Sequence, residues 1–148
     1  QFDRVQNMIE TGIEEGAEVL IGGLGKPNGF SKGWYVKPTI FKDVSNQMRV
    51  AREEIFGPVL VVIPFDTEED AVEIANDTPY GLAAYLSSGD TERATRVAAK
   101  LKAGAVHING GGFNYGSPFG GYKQSGNGRE GGILGLEDYL ETKTLHWG

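Results

Sequence analysis

Val59-Leu60-Val61-Val62-Ile63-Pro64-Phe65 is the stretch that decides the fold: an apolar, β-branched run that reads as a buried strand over 59–65. Thr67-Glu68-Glu69-Asp70 follows, with a hydroxyl to cap a helix and acids for its first turn. Ala71, Ile74 and Ala75 supply that helix with an apolar face. Pro79-Tyr80-Gly81 then turns the chain into a second strand, Leu82-Ala83-Ala84-Tyr85-Leu86. Asp90 or Thr91 caps the next helix, in which Ala94, Val97, Ala98 and Leu101 recur at i, i+3, i+4 and i+7. Gly104 ends it, and Ala105-Val106-His107-Ile108 is a third strand. The order βαβαβ predicts an α/β fold: an open parallel sheet with helices on both faces.

Working outward toward the N-terminus, Phe2, Val5, Ile9 and Ile13 predict an amphipathic helix over 2–15, ended by Gly16. Ala17-Glu18-Val19-Leu20-Ile21 predicts a short strand stopped by Gly22-Gly23. Residues 34–41 read as an extended, edge-like stretch, because Pro38 cannot donate to a ladder. Toward the C-terminus, Ile133, Leu136, Tyr139 and Leu140 suggest a short helix. Lys143-Thr144-Leu145-His146-Trp147 reads as a terminal strand that needs a partner, for which a second subunit is the natural candidate.

Composition narrows the function classes. The 148 residues suffice for about one domain with a real core. A net charge of −6 argues against nucleic acid as the main partner. No apolar run approaches the roughly 20 residues of a membrane span. The start, Gln1-Phe2-Asp3-Arg4, has no signal-peptide layout, which favours a cytoplasmic setting, and its lack of Met points to a processed chain or an excised piece. Cysteine is absent, so the chain offers no disulfide, thiolate metal site or cysteine nucleophile.

Several motifs fail on context. Gly126-Asn127-Gly128-Arg129-Glu130-Gly131 has the spacing of a dinucleotide fingerprint, but no strand precedes it and only 17 residues follow. Gly25-Lys26 lacks both the first glycine and the Ser or Thr of a phosphate loop. His107 and His146 have no neighbouring ligands at metal spacing, so no metal site is expected. No serine sits in a G-x-S-x-G elbow. The Asn76-Asp77-Thr78 sequon reads as helix-end chemistry.

Two features fit ligand binding. Glu53-Glu54-Ile55-Phe56-Gly57-Pro58 places two carboxylates, an aromatic and a stiff Gly-Pro turn ahead of the first strand. Carboxylates accept hydrogen bonds from sugar hydroxyls, and an aromatic offers a flat apolar face. The alternative is an exposed acidic turn. The second feature is the glycine-rich loop after Ile108, which lies at the carboxyl end of a parallel strand, where such sheets bind ligands. Its aromatics Phe113, Tyr115, Phe119 and Tyr122 either plug the loop onto the domain or line an apolar tunnel, with Phe119 the best tunnel wall.

Together these stretches resemble the NAD(P)-dependent aldehyde dehydrogenase family. The resemblance is carried by Glu53–Pro58, Tyr80-Gly81-Leu82-Ala83-Ala84, Ser117-Pro118-Phe119-Gly120-Gly121-Tyr122-Lys123 and Ser125-Gly126-Asn127-Gly128-Arg129-Glu130, in the family's order and spacing. It implies that Glu54 binds the nicotinamide ribose hydroxyls, that Phe56 packs beside that ribose, and that Leu82 is an apolar contact near the cofactor. It places Phe119, and less directly Phe113, in the aldehyde pocket.

The same resemblance divides the chain into the C-terminal portion of a catalytic domain, 1–139, and an oligomerisation strand, 140–148, of a homodimer or homotetramer. In the family a cysteine thiolate attacks the aldehyde, a thiohemiacetal yields hydride to NAD or NADP, and a glutamate base activates water. The nucleophile, base and dinucleotide-binding domain have no counterpart in these 148 residues. The expectation is therefore a fragment of an aldehyde-oxidising enzyme, inactive alone and holding no cofactor tightly. The alternatives are a free-standing ligand-binding domain and a pure oligomerisation module.

Overall fold

The computed structural model describes all 148 residues. The chain divides into two compact units, Gln1–Asp66 and Thr67–Gly148.

In the first unit, helix α1 spans Phe2–Glu14, and its buried residues are Val5, Met8, Ile9 and Gly12. That stripe keeps helical spacing but is turned from the expected one: Ile13 is exposed, and Met8 and Gly12 take its place. Gly12 faces inward because Phe41 must come close. A Cβ there would lie 3.1 Å from Phe41 Cζ and 3.3 Å from Val50 Cβ. Strands β1 (Glu18–Ile21), β2 (Thr39–Lys42) and β3 (Val59–Val61) form one sheet in the order β1-β2-β3. β1 runs antiparallel to β2 with an irregularity between Val19 and Ile21, whereas β2 and β3 are parallel. Between β2 and β3 stands the short helix α2, Arg49–Arg52. Val5, Ile9, Phe41, Val44, Val50 and Ile55 make the core.

β2 is thus the middle strand of its sheet rather than an edge. Pro38 is compatible with this because it sits one residue before the strand, and the first ladder donor is Thr39 N–H, 2.8 Å from Pro58 O. β3 is shorter than the expected 59–65. Its last ladder bond runs from Val62 N–H to Phe41 O at 2.9 Å, and Pro64, which has no N–H, follows closely.

In the second unit, helix α3 (Glu68–Asn76) begins with the full capping box: Thr67 Oγ1 accepts from Asp70 N–H, and Asp70 Oδ2 accepts from Thr67 N–H, both at 3.1 Å. Ala71 and Ile74 are half-buried as expected, but Ala75 is exposed. Strand β4 (Ala83–Leu86) pairs in parallel with β5 (Ala105–Ile108), and helix α4 (Thr91–Ala98) joins them. Asp90 caps α4 by accepting from Arg93 N–H at 3.0 Å, and Ala94 and Val97 are its buried residues. The parallel α/β crossover is as expected. The sheet is not continuous within the chain, however: β3 pairs with β2, while β4 and β5 form a separate sheet.

A single 3₁₀ turn, Lys123–Ser125, and helix α5, Gly132–Glu137, complete the unit. Residues 141–148 form no strand within the chain, and Leu145 and Trp147 are exposed. No helix is long and apolar enough to cross a membrane.

Candidate functional site

The 53–58 loop separates its two carboxylates by partner. Glu53 is the residue after α2 and lies four positions beyond Arg49, so their side chains share a helix face. Arg49 Nε donates to Glu53 Oε1 at 2.6 Å and Nη2 to Oε2 at 3.3 Å, a two-pronged pair. Hydrogen bonding to Arg49 holds the Glu53 carboxyl below its ordinary range. The Arg49 backbone N–H is itself fixed by Glu15 Oε2 at 2.8 Å. Glu53 is therefore committed to structure.

Glu54 is exposed, and its carboxylate has no hydrogen bond or ion pair. Ile55, next along, is buried in the core and pins the loop. Phe56 is again outside, 72% exposed, with its backbone in the left-handed region at φ 54°. That conformation is costly for a bulky residue and persists only where surrounding contacts impose it. The result is an unpartnered carboxylate and an open aromatic face on either side of a buried anchor. Such a pair can accept hydrogen bonds from a diol and cover the apolar side of a ring.

In the second unit, Leu82 and Phe119 line one cavity of about 380 Å³ with Ser125, Arg129, Asp138 and Tyr139. Phe119 is held by a two-way bridge: its N–H donates to Glu130 O, and Glu130 N–H donates to Phe119 O, both at 2.7 Å. Phe113 packs edge-on against Phe119, ring centroids 5.9 Å apart, and Tyr115 packs edge-on against Phe113 at 5.0 Å. Phe113 and Phe119, the two aromatics that the resemblance implies for the aldehyde pocket, are thus in contact, and Leu82 shares the cavity with Phe119.

Arg129 and Ser125 organise this cavity, and sequence reasoning had assigned neither a role. Arg129 Nη1 donates to Gly128 O at 2.8 Å and Gly121 O at 3.1 Å, and the guanidinium lies 5.7 Å from the Tyr122 ring centroid. Ser125 Oγ accepts from Gly81 N–H at 3.0 Å, and Gly81 O in turn accepts from Gly104 N–H and Tyr122 N–H. Only the density of glycines around them signalled close backbone packing. The Asn76 side chain is bonded both ways to backbone well downstream, donating to Lys100 O at 2.9 Å and accepting from Lys102 N–H at 2.7 Å.

Comparison with known proteins gives the family of the chain. The profile of the aldehyde dehydrogenase family matches residues 1–145. A Pseudomonas 3-succinoylsemialdehyde-pyridine dehydrogenase is 53% identical over 145 residues, covering 98% of this chain and 30% of that protein. Among solved structures, a mutant of aldehyde dehydrogenase C from Pseudomonas syringae, in complex with NAD+ and octanal, superposes with a TM-score of 0.92 at 55% identity, covering 96% of this chain and 29% of that one. An aldehyde dehydrogenase from Bartonella henselae superposes at 0.91 with 50% identity, covering 96% and 30%. The chain spans about 30% of the length of the relatives it matches. The chain belongs to the aldehyde dehydrogenase family.

Proposed function

We propose that this chain is the C-terminal part of an NAD-dependent aldehyde dehydrogenase and forms one wall of its cofactor site. The observation that carries the reading is the unpartnered Glu54 carboxylate beside the exposed Phe56 ring, on a loop held in a left-handed turn. Glu54 accepts hydrogen bonds from the two nicotinamide ribose hydroxyls, and Phe56 covers the ribose. A charge-assisted bond from each hydroxyl fixes the sugar and so aims the attached ring. Leu82 adds an apolar contact to the cofactor. NAD, when bound, supplies the hydride acceptor.

Phe119 and Phe113 form the aldehyde-facing wall, where apolar rings exclude water and select for an apolar substrate chain. The products are a carboxylic acid and reduced cofactor. The nucleophilic cysteine comes from outside these 148 residues, since the chain contains none, and on this reading so does the base that activates water. Residues 140–148, with Leu145 and Trp147 exposed and no ladder partner in their own chain, pair with the sheet of a neighbouring subunit in a homo-oligomer.

The test is to express the 148-residue chain alone and joined to the upstream segment of its coding sequence. Aldehyde-dependent reduction of NAD+ is expected only from the longer protein. Turnover by the purified short chain, or an upstream segment without an in-frame cysteine, would overturn the reading.

A further inference from the structure

The loop that presents Glu54 and Phe56 is not held by its own sheet. No backbone N–H donates to the carbonyls of residues 54, 55 or 56. All three are taken by side chains at the start of α1: that of its N-cap, Gln1, and that of Arg4 in its first turn. Arg4 Nη2 donates to Glu54 O at 2.6 Å, and Gln1 Nε2 donates to Ile55 O at 2.9 Å and Phe56 O at 2.5 Å. Gly57 is then closed against the same turn by packing: a Cβ there would come within 2.5 Å of Cγ2 of Val5, itself 1% exposed.

Gln1, Arg4 and Val5 stand at i, i+3 and i+4, which is one face of a helix. Four consecutive loop residues are thus fastened to a single helical face more than 45 residues away in sequence. The unfavourable φ of Phe56 falls at the centre of this fastened segment, where released backbone would be free to leave the left-handed region.

We propose that Arg4, seconded by Gln1, is a positioning residue for cofactor binding. The first turn of α1 braces the 54–57 backbone so that the Glu54 carboxylate and the Phe56 ring are offered together. This rests on the reading that those two groups bind the nicotinamide ribose. Without the brace the loop divides its time among conformers, and the apparent dissociation constant rises by the reciprocal of the competent fraction.

The experiment uses the full-length enzyme in five forms: wild type, Arg4→Met, Arg4→Lys, Gln1→Met and Glu54→Gln. NAD+ affinity is measured by titration, kinetics with both substrates varied, and amide hydrogen exchange over residues 53–58 without cofactor. Arg4→Met should weaken NAD+ binding by roughly tenfold and speed exchange in the loop, with the aldehyde KM changed by less than about twofold. Arg4→Lys, which keeps one donor, should recover most of the affinity. Gln1→Met provides a second route should Arg4→Met fail to fold, and should shift affinity and exchange in the same direction.

If Glu54→Gln weakens NAD+ binding but Arg4→Met and Gln1→Met do not, the brace is wrong and the ribose reading stands. If affinity falls while loop exchange is unchanged, Arg4 does not act through the loop, and the proposal fails. If Glu54→Gln also leaves affinity unchanged, the ribose reading fails and takes the brace with it.

Discussion

Arg49 Nε stands 2.6 Å from Glu53 Oε1, and this pair divides two adjacent glutamates into a structural one and an available one. As side chains, Glu53 and Glu54 are equivalent acceptors. The helical turn of Arg49–Arg52 removes the equivalence by bringing a guanidinium onto Glu53 only. The first prediction follows from it. In the full-length enzyme Glu54→Gln should lower kcat/KM for NAD+ by about tenfold or more, because a charge-assisted acceptor is lost at the ribose. Glu53→Gln should leave that ratio within about threefold. Steady-state kinetics on the two variants decide it, and equal effects would remove the distinction.

Phe56 holds a backbone conformation that favours glycine, at φ 54° with 72% of its surface exposed. Phe56→Gly should therefore keep or raise stability, by about 1 kcal/mol from relief of the left-handed penalty, since little apolar burial is lost. The same change should weaken NAD+ binding. Chemical denaturation paired with cofactor titration tests this. A clear loss of stability would show that the ring packs usefully in the folded chain.

Glu68 gathers three cations across two helices. Arg93 Nε approaches Glu68 Oε2 at 3.1 Å, Arg96 Nη2 approaches the same oxygen at 3.0 Å, and Lys100 Nζ lies 3.3 Å from Oε1. Hydrogen bonding from Arg96, opposed by burial and reinforced by Lys100 and Arg93, lowers the Glu68 carboxyl from 4.5 to about 2. A carboxyl with a depressed folded-state pKa stabilises the fold above its unfolded value and loses that contribution as pH falls through the folded one. The contribution of Glu68 should be complete above about pH 4.5 and gone below about pH 2. Thermal melts of wild type and Glu68→Gln across that window should converge at the acid end. Parallel curves at all pH values would show that the cations do not stabilise through this carboxylate.

Gly104 stands where the chain enters β5, and a Cβ there would fall on the carbonyl oxygen of Gly120. Gly120 is the neighbour of Phe119 and, like it, lines the 380 Å³ cavity. Gly104→Ala should push this backbone outward and move the Phe119 ring. The expected result is a raised aldehyde KM, by about fivefold or more, with NAD+ affinity less affected. Unchanged aldehyde kinetics would place Phe119 away from the substrate.

Much of the local structure was legible because its causes are local. The capping box of Thr67 and Asp70, the Asp90 cap and the Ala94/Val97 stripe each depend on residues a few positions apart. The turned stripe of α1 was less accessible. Ile13 is apolar and correctly spaced, yet it lies outside, because Phe41 and Val50 approach Gly12 instead. Which apolar residues of a helix are buried depends on what arrives from elsewhere in the chain. The partner of β3 was hidden for the same reason: an apolar run states that a strand is buried, not which strand lies beside it.

The residues of the candidate site divide along that line. The amino-acid order by itself determined the chemical inventory: two carboxylates and an aromatic in 53–58, aromatics at 113 and 119, and no cysteine anywhere. It also determined helices and strands whose caps and periodicity are short-range. A short-range pair, Arg49 with Glu53 four positions on, decided which carboxylate is available, whereas tertiary structure decided which backbone carries strain. It also decided what holds the Glu54 loop in place, because Gln1 and Arg4 meet residues 54–56 only after some 50 intervening residues have folded back. Short-range order comes from steric and hydrogen-bonding preferences within a few residues. The presentation of Glu54 and Phe56 depends on distances that no local preference encodes.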